Sequence, residues 1–505
     1  MSLQRASIQV SLGSIFVYLV SFFNQLLIAR AFGAGARMDA YLAGANVPLT
    51  INNLIGAVFV YAVVPHIVHE AVHDESLKPK MMGLLVGCLG LSLVTLTVGL
   101  TAHVWPLIHT SQFGTYRPEA VWAATLSWCS CAVFFITALS DALFNANRSF
   151  VFPVLAYLPA YLLTSCSVFF LGQRLGGPAI AGATLVGYLL VIPLRIFRQR
   201  EYLVRQFDFS MFRAFLKRIP FTALAVMSLY SFPVIDAYLG PKAGEGVLSI
   251  LGYSTRIIST LAVIVALGPF GVLIPELATH SAEANRERFS VRAQTLFRYA
   301  LTLLVPVALW IFIFRLPVIT LLLQRGQFGP EDSQHLAGLL MFNIPGSIFM
   351  VLSMLMVRVF LADKRMIEAA GLSTLNFVMY LTFCSVLTPK YGLNGFGMSF
   401  VSAWTLHAIL AITVLFAKDH GHIEWPRVGR FVGRLAATTG ILVLLGSAIR
   451  MAVPMQSKLT SLIVLPLSLA VCLLAFFGVG HLMGSPEHQR VWGMLARFSR
   501  RSRSA

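Results

Sequence analysis

The residues with most capacity for chemistry lie inside long apolar runs, where each polar group needs a physical reason. Arg256 is the sharpest case. It sits in SILGYSTRIISTLAVIVALG, with Tyr253 and Thr260 at i−3 and i+4. A charged side chain at the centre of a bilayer costs on the order of 3 kcal/mol even by the mildest scales, so Arg256 should face a cavity or a partner. Its planar fork of donors suits a phosphate or pyrophosphate; a structural pair with Asp39 or Asp236 is the alternative. The first apolar segment carries Ser7, Ser11, Ser14, Tyr18, Ser21 and Gln25 at spacings of three and four, with Asn24 beside them. That spacing defines one helical face. Close packing through hydroxyl residues would use such a face, but a stripe ending in Tyr18, Asn24 and Gln25 also suits a hydrated cavity wall. In the second segment Asp39, Asn46 and Asn53 recur every seven residues, with Asn52 adjacent and Pro48 between them. Asn46, Asn52 and Asn53 extend the same polar wall. Asp39 lies nearer a helix start, where it could equally be a solvated acid paired with Arg30 or Arg37.

Other groups are more ambiguous. Asp141 and Asp236 are acids near membrane segments; each could bind a coupling proton or monovalent cation, or sit at the interface near a helix end. Arg358, Asn343 and Asn376 are further cavity candidates. His69-Glu70-Ala71-Val72-His73 has the spacing of a two-histidine zinc site with a glutamate base. It runs directly into the charged stretch HDESLKPK, and no later segment supplies a third ligand, which a catalytic zinc requires. A membrane metalloprotease is therefore a remote alternative, and no metal or other cofactor is expected. The six cysteines all fall in apolar segments and read as small core residues. No phosphate-binding glycine loop is present, so ATP is not expected to power this chain.

The elements that must hold these groups follow from composition. Hydrophobic residues make up 57% of the 505 and charged residues only 11%, against roughly 25% charged in soluble domains. Apolar runs of about 20 residues, each able to cross the hydrocarbon as a helix, recur fourteen times. The expected fold is an all-α polytopic membrane protein. The net charge of +18 is no nucleic-acid signal, because most of the Lys and Arg fall in alternate loops. That asymmetry places both termini in the cytoplasm and the excess charge against membrane lipids. The richest loop, RIFRQREYLVRQFDFSMFRAFLKR, interleaves basic and apolar residues and reads as an interfacial amphipathic helix.

Weak internal matches divide the chain. VVPHIVHEA resembles LIPELATHSA, FNANRSF resembles FLADKRM, and GGPAIAGAT resembles YGLNGFGMS, in the same order and at a nearly constant offset. They imply two pseudo-symmetric six-helix lobes plus two C-terminal helices: residues 1–196, a linker 197–218, residues 219–417, and residues 418–505 with a basic tail. Transporters built from such repeats bind substrate between the halves.

These motifs carry a resemblance. ARAFGAGARMDAY followed by VPHIVHE, LFNANRSFVFPVLAY, YSTRIIS with GVLIPELA, LLQRGQFGPEDSQHLAGLL and YGLNGFGMSF together resemble the MurJ/MviN flippases, within the superfamily of multidrug, oligosaccharidyl-lipid and polysaccharide exporters. The resemblance implies a transporter and not an enzyme. Its central cavity would pass a polyprenyl-pyrophosphate-linked glycan, lipid II or a related surface-glycan unit, across a bacterial cytoplasmic membrane by alternating access, in contact with glycan synthesis and polymerisation enzymes. Coupling to membrane potential or a monovalent cation would drive it. Asp39 matches the family's cavity acid and Arg256 its cavity arginine. Where members carry further arginines, this chain has Tyr18, Asn24 and Asn52, and acids flanking the arginine are replaced by Thr255 and Ser259. The implied cavity keeps one basic anchor and is otherwise neutral and polar. A cation-coupled small-molecule exporter of the same superfamily would instead need a responsive acid such as Asp141 or Asp236.

Overall fold

Every described element of the computed structural model is helical. The structure describes residues 3–64, 67, 77–147, 149, 151–266, 286–417, 423–455 and 457–490. The main helices are α1 (Leu3–Phe32), α2 (Ala36–Val58, continued by a π turn Phe59–Val63), α3 (Leu77–Gly99), α4 (Arg117–Ala146), α5 (Leu158–Leu175) and α6 (Gly177–Arg198). After them come α7, in two arms (Ser210–Tyr230 and Phe232–Ala243), α8 (Val247–Ala266), α9 (Arg286–Leu322) and α10 (Pro330–Ala362). The last four are α11 (Met366–Tyr391), α12 (Leu393–Phe416), α13 (Trp425–Ala452) and α14 (Lys458–Leu482). Among the described residues, eleven helices are long and apolar enough to cross a membrane, and the arms of α7, bent by 56°, make a twelfth if taken as one span. α1 and α8 add shorter apolar stretches, Phe16–Phe32 and Val247–Ala262. This is a multi-pass membrane protein, consistent with the fourteen segments expected.

The chain packs as two compact units, Met1–Gly252 with Arg325–Asp332, and Tyr253–Gln324 with Ser333–Ala505. In the first, α4 lies between α2 and α6, and α5 contacts both α1 and α6. Lipid tails are as apolar as leucine, so helix association here depends on close fit. Small residues supply it. A Cβ on Gly44 would sit 2.9 Å from the Ala124 amide nitrogen on α4, and one on Gly187 would sit 2.7 Å from that of Ala160 on α5. His103 adds a polar tie: the Trp128 indole donates to its Nδ1 (3.2 Å), which leaves Nε2–H to donate to the Ala43 carbonyl (3.1 Å). In the second unit α11 runs along α12, and α9 packs on α13 and α14 around Trp310, Phe314, Leu442 and Phe476. There the Trp310 indole donates to Ser468 Oγ at 3.0 Å.

The linker differs from expectation. Instead of an interfacial helix, residues after α6 form a short 3-10 turn, Arg200–Tyr202, and then a non-helical segment until α7 starts at Ser210. Asp208 sets that start. Its carboxylate accepts from the Ser210 amide and hydroxyl, both at 2.8 Å, an Asx-type signal that competes with continued helix. These two bonds hold the exposed carboxyl below the usual range. The Asp208 amide donates to the Pro79 carbonyl at 2.9 Å, which straps the segment to the start of α3. The cysteines also differ at two positions: Cys88, Cys131, Cys384 and Cys472 are buried, but Cys129 is half-buried and Cys166 is exposed.

Candidate functional site

The polar residues of the first unit fall into two hydrogen-bonded networks and one lined cavity. The first network forms where α1 hands over to α2. Gly33 has φ +60° and follows the last residue of α1, with its amide donating to the Ala29 carbonyl (2.9 Å), a left-handed helix stop that glycine adopts without strain. A Cβ there would collide with the Gln327 carbonyl. Gln327 in turn donates its amide to the Arg30 carbonyl (3.0 Å), and Gly326, at φ +59°, rests on the same Arg30. The FGAG and QRGQF motifs therefore interlock backbone to backbone.

α2 and α8 begin at this same place, and two helix N-termini concentrate partial positive charge. Each is capped from the other side. Asp39, in the first turn of α2, accepts from the amides of Gly246 and Ser249 at 2.7 Å each and from the Ser249 hydroxyl. Glu245, just before α8, accepts from the Ala36 amide at 3.2 Å. Asp39 is 3% exposed. Asp39 is therefore not a solvated helix-start acid, and it pairs with neither Arg30 nor Arg37. Arg37 instead pairs with Glu119 at 2.9 Å and donates to the Gln173 carbonyl. The physical reason is that orphan amides at a helix start take a carboxylate without a cation.

The second network centres on Asp141 in α4. Its Oδ1 accepts from the buried Arg195 guanidinium of α6, and its Oδ2 accepts from the Tyr157 hydroxyl at 2.6 Å. Arg195 is 2% exposed and lies 5.8 Å from the ring centroids of both Phe152 and Tyr157. Asp141 is thus an ion-paired acid and not a lone interfacial one. Sequence reasoning missed Arg195, counting it with the loop. In the structure α6 continues to Arg198, which puts Arg195 a turn inside the helix; no sequence pattern marks that pairing. Asp236, the other acid considered for ion coupling, is buried on the second arm of α7.

A cavity of about 450 Å³ brings Tyr18 of α1 together with Asp141, Asn145, Tyr157 and Tyr161, against Gly56 and Val60. Among the stripe residues whose side chains are described, Ser21, Asn24 and Gln25 are not part of its lining. Asn24 and Asn52 are each 5% exposed, and their Oδ1 atoms have no hydrogen-bond partner among the described residues. Gln25 and Asn46 are half-buried, and Asn53 is exposed. The heptad face of α2 is therefore graded, from buried Asp39 to exposed Asn53.

In the second unit Arg256 is exposed on α8, as are Ser259 and Thr260, while Tyr253 is buried. The Thr260 hydroxyl bonds the Arg256 carbonyl at 2.9 Å. The guanidinium has no carboxylate partner among the described residues. Asn343 donates to Ser254 at 2.8 Å and so supports α8 from α10. His69, Glu70 and His73 lie outside the described residues.

Comparison with known proteins agrees with this architecture. A protein from Bdellovibrio bacteriovorus described as a probable lipid II flippase MurJ is 22% identical, the match covering 96% of each chain. A solved structure, "Lipid II flippase MurJ, inward closed conformation", superposes with a TM-score of 0.75 at 18% identity, covering 93% of this chain and 99% of that one. An inward-facing multidrug resistance MATE family transporter of the MOP superfamily gives 0.68 at 16% identity, over 80% and 94%. The likenesses to the solved structures establish the shared fold. The family model described as "Lipid II flippase MurJ" matches residues 28–470, and the chain belongs to that family.

Proposed function

We propose that this protein moves a polyprenyl-pyrophosphate-linked glycan, lipid II or a closely related surface-glycan unit, from the inner to the outer leaflet of a bacterial cytoplasmic membrane. The observation that carries the reading is Arg256: an exposed guanidinium on an apolar helix with no carboxylate partner among the described residues, in a chain of the MurJ family. A phosphate-bearing head group supplies the counter-charge it lacks, through bidentate hydrogen bonds. Ser259 and Thr260 beside it, and Tyr18 and Asn53 elsewhere, offer neutral donors and acceptors of the kind that suit sugar hydroxyls. Two six-helix lobes rocking about the substrate, with α13 and α14 beside them, provide alternating access. Membrane potential or a monovalent cation drives the cycle. The distribution of Lys and Arg supports cytoplasmic termini, and enzymes of glycan synthesis and polymerisation are the natural neighbours.

The test is complementation of a strain depleted of its own lipid II flippase. Rescue by the full chain, lost in Arg256→Ala at equal membrane abundance, is the expected result. Full rescue by Arg256→Ala overturns the anchoring role, and failure of the well-expressed parent chain overturns lipid II in favour of another glycan.

A further inference from the structure

The chain beyond α14 carries a buried histidine that the reading above does not use. Gly484, at φ +67°, stops α14 in the left-handed conformation, and the Ser485 amide donates back to the Gly480 carbonyl at 3.1 Å. Pro486 then starts a short helical turn, with Ser485 in the capping position and the Gln489 amide donating to the Ser485 carbonyl at 3.0 Å. Ser485 and His488 are fully buried, and Glu487 is nearly so. The His488 ring lies against Phe476 and Phe477 of α14, at 5.1 and 5.9 Å between ring centroids. A Cβ on Gly480 would sit 2.6 Å from the His488 Nε2, so glycine there makes room for the ring. Glu487 reaches Arg298 of α9 at 3.6 Å, and Arg490 lies 5.7 Å from the ring centroid of Tyr299 on the same helix. Residues 485–490 thus clasp the end of α14 to α9.

The hydrogen bonds fix which form of His488 the clasp holds. The Ser485 hydroxyl has one proton, and it goes to Glu487 Oε2 at 3.0 Å, because a carboxylate only accepts. Ser485 Oγ therefore accepts from His488 Nδ1–H, at 2.8 Å. The ring proton is on Nδ1, and Nε2 holds a lone pair. Nε2 is buried and has no hydrogen-bond partner among the described residues. A second proton would put an unmet N–H and a charge there. The charged and titratable groups of the clasp are Glu487 and Arg490 on its own turn, Arg298 and Tyr299 on α9, and Arg434 on α13. α14 meets the ring with Phe476, Phe477 and Gly480, which carry no charge. Burial holds the imidazole below its ordinary range, Arg434 adds to this, and Glu487 opposes it.

We infer that residues 485–490 form a proton-operated clasp: neutral His488 closes it onto α9, and acidification, by charging Nε2, opens it. Released, the imidazole takes its proton near the ordinary value of about 6.5; closed, it does so only at lower pH. The closed form is therefore fully favoured above about 6.5 and loses ground as pH falls, by up to about tenfold per unit. Opening parts Glu487 from Arg298, whose Nε has no partner among the described residues, and so leaves a guanidinium on α9 short of its carboxylate. With cytoplasmic termini as proposed above, the clasp reads cytoplasmic pH. Its chemistry does not depend on which glycan the protein carries.

The test follows backbone hydrogen exchange of the full chain in nanodiscs, from about pH 7.5 to about pH 5.5, either side of the ordinary histidine value. Rates are corrected for the intrinsic pH dependence of exchange and read from peptides covering residues 481–490, with peptides of α5 as reference. Opening is expected to rise about tenfold over that range. His488→Asn keeps a side-chain N–H near the Nδ1 position and takes up no proton in this range. It is expected to flatten the pH dependence, whatever its baseline. Exchange at the imidazole C2 carbon follows the titration of His488 itself and is expected to place it below the ordinary histidine range. Parent exchange that is flat with pH, a rise that survives in His488→Asn, or an ordinary C2 titration overturns the proposal. So does a rise that the α5 peptides share, since that is general loosening of the fold.

Discussion

Asp39 and Asp141 are both carboxylates inside one unit of a membrane protein, the first buried and the second half-buried beside a cavity, and they are held in opposite ways. Asp39 has no cation. It is satisfied by two backbone amides and a hydroxyl at the start of α8, where the helix dipole offers distributed partial charge. Asp141 is satisfied by a full positive charge, Arg195, with the Tyr157 hydroxyl on its second oxygen. What differs is the group left behind when the acid is removed. Losing Asp39 leaves unmet amides at a helix start, which are neutral donors. Losing Asp141 leaves a guanidinium that cannot lose its proton, 2% exposed and ringed by aromatic side chains.

The comparison predicts its largest effect at Asp141. Asp141→Asn should lower stability by about 3–5 kcal/mol, the usual result of breaking a buried pair by removing one partner. Thermal unfolding of the purified protein, followed by exposure of its buried thiols, measures this. Asp141→Leu combined with Arg195→Met should recover most of the loss, because desolvation of two charges offsets much of a buried pair's attraction. A double variant as unstable as Asp141→Asn alone would show that the pair is valued for more than mutual neutralisation.

These two networks also mark what was legible in the sequence. Membrane spans were legible because composition and run length dictate them, and FGAG and QRGQF stood out as motifs. Their reason for standing out was not legible. Asp39 reaches its partners across 207 and 210 residues of chain, and Arg195 lies 54 residues from Asp141. Periodicity reports which residues share a face of one helix, and it carries no information on which other helix meets that face. The acid at the start of α2 therefore read as a cavity acid or a partner of Arg30 or Arg37, and Arg195 looked like one more topology-setting cation. Arg256 was legible for the opposite reason: a charge in an apolar run announces itself whether or not a partner exists.

An intermediate effect is expected at the junction that fixes the first network. Gly326→Ala places a side chain at φ +59° and drives its Cβ into the Arg30 carbonyl. Holding a non-glycine residue in a sparsely populated backbone region costs on the order of 1–3 kcal/mol, and the carbonyl contact adds to it. The same thermal assay should place Gly326→Ala below the parent and above Asp141→Asn. A neutral result would mean that the QRGQF turn does not need its fit against α1.

The smallest effect is expected for Asp39→Asn, and it sharpens the comparison most. The amide keeps the size and one acceptor of the carboxylate, so either the Gly246 amide or the Ser249 amide keeps its bond. The other then faces an NH2 group, donor against donor. The Ser249 hydroxyl can rotate away, and Glu245 remains beside the two helix starts. Removing a helix cap costs about 0.5–2 kcal/mol, and the asparagine variant should fall in the lower half of that range. Asp39→Ala, which leaves both amides and the hydroxyl unmet, should fall in the upper half. If Asp39→Asn proves as damaging as Asp141→Asn, full negative charge is needed between the two helix starts. Adding Glu245→Gln to Asp39→Asn then tells whether that charge is shared: a shared requirement makes the double loss greater than the sum of the single ones.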